Sequence, residues 1–320
     1  AIAVPAGCYD SSLYLLAGNI FSPSTSTAKT LTTYDMRIAG SMYLDANTLK
    51  VGASWRNLGG FTPNTGTVMF NATTSTRTID NTGAATSTFG NVTFGEVATL
   101  ATWTFSTPFV ATGTVAMNFG TTSPGAQSMT LLGDLTIGAS GTFAKGSATT
   151  TFSGTQSKTW TDNTAAKQDL GNVAISGTAK TITLGSSVKA TNINIASGNT
   201  LNAGGANTFS VLGFWDNAGT FTPQTGTVAF IATSTAKTIN QASSNFYNAT
   251  FNGVGGAWRW LNTNATTTND LTIATGTLTL PGGTLEVGGS FANTGGTFVN
   301  NSGIDRKSTR LNSSHRCLSR

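Results

Sequence analysis

Apolar and polar residues alternate along most of the chain in words of four or five residues, among them GTVMF (66–70), GNVTF (90–94), DLTI (134–137), GTLTL (276–280) and GTLEV (283–287). Most are bounded by glycine, asparagine or serine. A period of two, broken so often, predicts half-buried β-strands joined by tight turns. No segment carries an apolar stripe at helical spacing. Pro63, Pro223 and Pro281 fall in turn-like contexts, where a missing N–H costs little. The expected class is all-β.

The same words recur at long range. FTPNTGTVMF (61–70) returns as FTPQTGTVAF (221–230), and TTSTRTID (73–80) as TSTAKTIN (233–240). FGNVTF (89–94), LGNVAI (170–175) and FYNATF (246–251) are three versions of one phrase. Phe61, Phe143, Phe221 and Phe298 mark four successive copies at nearly equal spacing. Short strands inside a unit of about 80 residues predict a β-solenoid of four repeats, each of three or four coils. Coils of about 24 residues stacked at about 4.8 Å would build a rod about 60 Å long. Tandem β-sandwich domains are the alternative, because one unit also holds enough strands for a sandwich. The expected organisation is a partial first repeat over 1–46, a repetitive solenoid over 47–304 and a basic tail over 305–320.

Composition sharpens this picture. Charged residues make up 9% of the chain, far below the roughly 25% of an ordinary soluble domain. Threonine, asparagine, serine and glycine replace them, and threonine's stiff, branched side chain suits a pleated surface. The formal net charge of +5 comes mostly from the C-terminal stretch DRKSTRLNSSHRCLSR (305–320), which holds five of the 17 basic residues. Residues 1–304 are left with 12 basic and 11 acidic side chains, so the body offers no basic face for nucleic acid. Arg306 to Arg320 resembles a translated adapter or vector sequence and is set aside as non-native or disordered. With it go His315 and Cys317, leaving Cys8 alone and no disulfide framework. No apolar run approaches a membrane span, the longest being Leu13 to Ala17.

Phrases such as TLEVGGSFANTGGTF (284–298) resemble the Thr/Gly/Asn-rich β-helical regions of large bacterial secreted or surface proteins, of the adhesin and autotransporter-passenger kind. That resemblance covers about residues 20–304. It implies an extracellular or cell-surface location, flanking domains in the same polypeptide, and surface glycans or cell-surface proteins as partners. It carries no site residue with it.

Candidate chemistry is sparse. The body has no histidine, so Ser-His-Asp and Cys-His arrangements are absent. GVGGA (253–257) is too loose for a phosphate loop. No catalytic, cofactor or metal site is expected. The acids are scattered; Asp80, Glu96, Asp162 and Asp169 would matter only if stacking brought three of them into one groove, as a polysaccharide lyase or tailspike-like hydrolase requires. Trp55 and Trp215 align with Phe291. Trp103 and Phe105 align with Ile182 and Leu184, and with Trp258 and Trp260; Trp160 aligns with Ile79 and Ile239. Slots that accept Trp, Ile, Leu and Phe demand volume and belong in a core. Exposure of Trp55 and Trp215 on one flat face would instead mark a carbohydrate-binding array. Trp258, Arg259 and Trp260 are the candidate ligand contacts, with Arg259 reaching a polar ligand from an outer strand face.

Overall fold

A computed structural model describes residues 12–22, 28–83, 87–98 and 100–301, and the backbone of 304–307. Cys8, His315 and Cys317 lie outside these residues. The fold is all-β, a parallel β-solenoid of about 13 turns. Each turn supplies three strand positions, which stack into three faces. The first face begins Leu13–Leu15, Met36–Ile38, Trp55–Asn57, the second Ile20–Phe21, Ser41–Tyr43, Gly60–Thr62, and the third Thr30–Thr33, Thr48–Val51, Thr67–Phe70. Among the described residues every pairing is parallel, as it must be when each coil lays its strand on the one before.

The register keeps like on like. Leu31 pairs with Leu49, Leu49 with Val68, Val68 with Val92 and Val92 with Val115, all pointing inward on the third face. One continuous core runs from Met36 to Leu285, which excludes separate sandwiches with their own closed interiors. Turn length varies: the coil that carries Leu31 onto Leu49 is short, and the coil that carries Ile79 onto Phe105 is longer. The final strand, Ile304–Lys307, pairs with Thr284–Val287, so the stack crosses the expected boundary at residue 305. The rest of the tail lies outside the described residues.

The 80-residue repeat does not close on whole turns. Phe61, Phe143, Phe221 and Phe298 are each separated by eleven strand positions and sit on the second, first, third and second faces in turn. Eleven positions at three per turn make three and two-thirds turns, so each copy lands on a different face. The three isolated bridges mark the same phase: Phe89, Asp169 and Phe246 each fill the corresponding position of successive copies. Phe89 and Phe246 open the FGNVTF and FYNATF phrases, and Asp169 immediately precedes LGNVAI.

What recurs is the interior. Trp55 packs edge-on against Phe61 at 4.9 Å and 74°; Trp215 packs against Phe221 at 4.9 Å and 80°. Phe89 lies 5.3 Å from Trp55 and Phe246 lies 5.2 Å from Trp215. Phe70 stacks on Phe94, and Phe230 on Phe251. The polar corner is copied too. Asn57 Oδ1 accepts from the Gly59 N–H and Asn217 Oδ1 from the Gly219 N–H, while Ser87 Oγ and Ser244 Oγ accept the N–H groups of Phe61 and Phe221.

Between layers, Asx side chains act as ties. Asp35 accepts the Ser54 N–H, Asn91 that of Thr114, Asp134 that of Thr159, Asn264 that of Thr284 and Asp270 that of Ser290. Each satisfies a corner backbone donor one coil further on, where the strand ladder is interrupted. This accounts for much of the asparagine. It also explains the scarcity of charge: outward residues stack in rows about 4.8 Å apart, where like charges would repel.

Candidate functional site

The expected sites resolve as follows. Trp55 and Trp215 are buried at 0% and 1% exposure, so no flat aromatic platform exists there. Trp258 and Trp260 are buried at 1% and 2%, with their rings in the core and not on the outer strand face. They occupy the inward positions held by Trp103 and Phe105 two copies earlier, and glycine makes room for them. An added Cβ on Gly256 would lie 2.0 Å from the Ala232 carbonyl oxygen and 2.7 Å from the Trp258 ring, and Gly276 adopts φ +80° beside the same ring. The GVGGA stretch is therefore a corner of the long strand Asn248–Trp260. Arg259, between the two tryptophans, is exposed.

The acids named from sequence are each engaged separately. Glu96 pairs with Lys50 at 2.5 Å and Asp80 with Arg56 at 3.5 Å. Asp162, buried, accepts from Thr164 and from the Gln168 N–H and so closes the loop 162–168. Asp169 pairs with Lys145 and accepts from Thr191 and the Gly171 N–H. Burial pushes the Asp169 carboxyl up, but the bonds from Lys145, Gly171 and Thr191, with the charge of Lys145, hold it below the usual carboxylate range. Among the described residues, no group of three or more His, Cys, Asp or Glu is placed to hold a metal ion.

The surface feature that remains is an open groove of about 470 Å³ on the second face, running along the axis from Thr149 to Leu261. Its floor is a row of outward side chains on successive coils. Asn192 Nδ2 donates to Asn172 Oδ1 at 2.7 Å. Asn194 Nδ2 donates to Asp216 Oδ2 and Asn240 Nδ2 to Asp216 Oδ1, both at 2.9 Å. Phe214 and Leu261 stand on the groove, 40% and 54% exposed. Lys237 Nζ lies 5.2 Å from the centre of the Phe214 ring. Arg259 borders two smaller depressions next to it. Of the three sequence candidates, Arg259 alone is at this surface, on its flank.

No known family matches the chain, and no curated protein or solved structure matches it either. No described helix is long and apolar enough to cross a membrane.

Proposed function

We propose that this chain is a non-catalytic structural segment, a stalk or adhesin-like spacer of a larger secreted or cell-surface protein. The observation that carries this reading is the eleven-position repeat. It returns the same aromatic interior on a different face each time, so duplication preserves the packing and not any one surface. A repeat that served catalysis would hold its reactive groups on one side of the rod.

The engaged acids support the same reading, because carboxylates that tie layers or pair with lysine and arginine are not free for general acid–base chemistry. A stack whose backbone partners lie in neighbouring coils is also stiff along its axis, as a spacer requires. The test is labelling of intact cells that express the full gene, with antibodies raised against residues 47–301. Labelling without permeabilisation, lost on surface protease treatment, is the expected result. Signal that appears only after permeabilisation overturns the reading.

A further inference from the structure

The two strongest copies of the repeat differ in their outer surfaces, and the differences cluster. Positions 22 strand steps apart are equivalent: Arg37, Arg56 and Asp80 in the first copy correspond to Asn194, Asp216 and Asn240 in the third. The first set is a charged row closed by the Arg56–Asp80 ion pair. The third set is one carboxylate held between two amides. On the same outer side, Phe214 stands where the first copy has Ser54, and Leu261 where it has Ser106. Both serines hydrogen-bond within the stack, Ser54 Oγ accepting the Thr78 N–H and Ser106 Oγ donating to the Ile79 carbonyl. Interior positions match between the copies, while two serines with structural roles are replaced by exposed apolar side chains on the rim of a groove.

We propose that this groove binds a neutral oligosaccharide lying along the solenoid axis, with a sugar ring against Phe214 and hydroxyls on Asp216, Asn194 and Asn240. Asp216 Oδ1 and Oδ2 each accept one bond from the protein, which leaves acceptor capacity on both oxygens. Asn194 Oδ1 accepts nothing among the described residues. Fixed in place by their amide partners, these acceptors are pre-organised for hydroxyl donors one coil apart. An aromatic rim offers a sugar's apolar C–H face the burial that a serine does not. Beside Asp216, the one carboxylate among the groove's described lining, a neutral sugar is favoured over a uronate, while Lys237 and Arg259 lie at the rim and outside that lining.

This inference is separate from the spacer reading, which fails on cell labelling and not on binding. The test uses the full chain and hexasaccharides of β-1,4-glucan, β-1,4-mannan and β-1,4-galactan, with hexagalacturonate for comparison, in titration calorimetry. Saturable binding of at least one neutral hexamer is expected, weakened tenfold or more by Asp216→Ala and by Phe214→Ser, each with an unchanged melting temperature. Phe214→Ser restores the residue of the first copy, so a folding failure of one variant still leaves the other informative. Binding that survives both substitutions, binding of hexagalacturonate alone, or no binding by any hexamer overturns the proposal.

Discussion

Trp55 lies on the first face against Ile79, and Trp215 lies on the second face against Ile239, although the two tryptophans belong to copies of one phrase. They stand 22 strand positions apart, which is seven turns and one face. At about 4.8 Å per layer the axial separation is about 35 Å. The fold therefore treats its three faces as interchangeable on the inside, and a side chain's neighbours are set by its place in the repeat.

All six tryptophan indole N–H groups are buried without a hydrogen-bond acceptor among the described residues. An unpaired buried donor costs on the order of 1–3 kcal/mol, so these residues are present for volume. Trp160→Phe should change stability by less than about 1.5 kcal/mol, since the lost volume is offset by removing the donor. Trp160→Ala should cost about 3–5 kcal/mol. Urea titration of the two variants checks both, and similar losses would mean that the indole nitrogen has an unrecognised role.

Gly256 should not tolerate a methyl group. Its Cβ would meet the Ala232 carbonyl oxygen, a backbone atom with no room to move, so Gly256→Ala should lower the melting temperature by several degrees. Gly282, where an added Cβ meets nothing, is the control and should be close to neutral. Thermal melts followed by far-UV circular dichroism compare the two.

The pH dependence has two contributions of the same sign, one at each end of the scale. The Asp169 carboxyl is held below its ordinary value, so its tie to Lys145 is fully stabilising above the unfolded carboxylate value of about 4 and is lost as pH falls through the lower folded value. Asp169→Asn should flatten the acid limb of the stability curve. Lys180 is buried, with Nζ donating to the Gln156 carbonyl at 3.0 Å. Burial, and then the charge of Lys158, push its pKa down, while Asp134 opposes them. Between that lowered value and the unfolded value of about 10.4 the unfolded chain binds the extra proton, so stability rises with pH. Lys180→Met should abolish this rise. Melting temperatures from about pH 2 to about pH 10.5 read both limbs, and an unchanged profile in either variant would refute its assignment.

Much of this was legible in the sequence. The tryptophan slots could be placed inside because matching positions in other copies hold Ile, Leu or Phe, and every such alignment falls at a multiple of eleven strand positions. The solenoid itself followed from the density of short words. The turn did not, because corners of unequal length make the coil between Ile79 and Phe105 longer than the coil between Leu31 and Leu49, hiding a period of three behind a period of eleven. Trp258 and Trp260 share the parity of Trp103 and Phe105, which places them inward, while Arg259 between them faces out. Phe214 was missed. Its signal was present as a serine-to-phenylalanine difference between copies, next to a tryptophan that both copies share, but judging it required knowing which way that neighbour points.

The central claim is that the eleven-position copy, and not the turn, is the unit that the interior recognises. Deleting residues 144–221 removes one copy and turns everything downstream by one face, whereas deleting residues 144–209 removes three whole turns and keeps every face in place. Thermal unfolding of the two shortened chains compares them directly. The account predicts one cooperative transition within a few degrees of the parent for the first, on a rod about 18 Å shorter, and a much less stable second chain. Greater stability in the chain shortened by whole turns would contradict it.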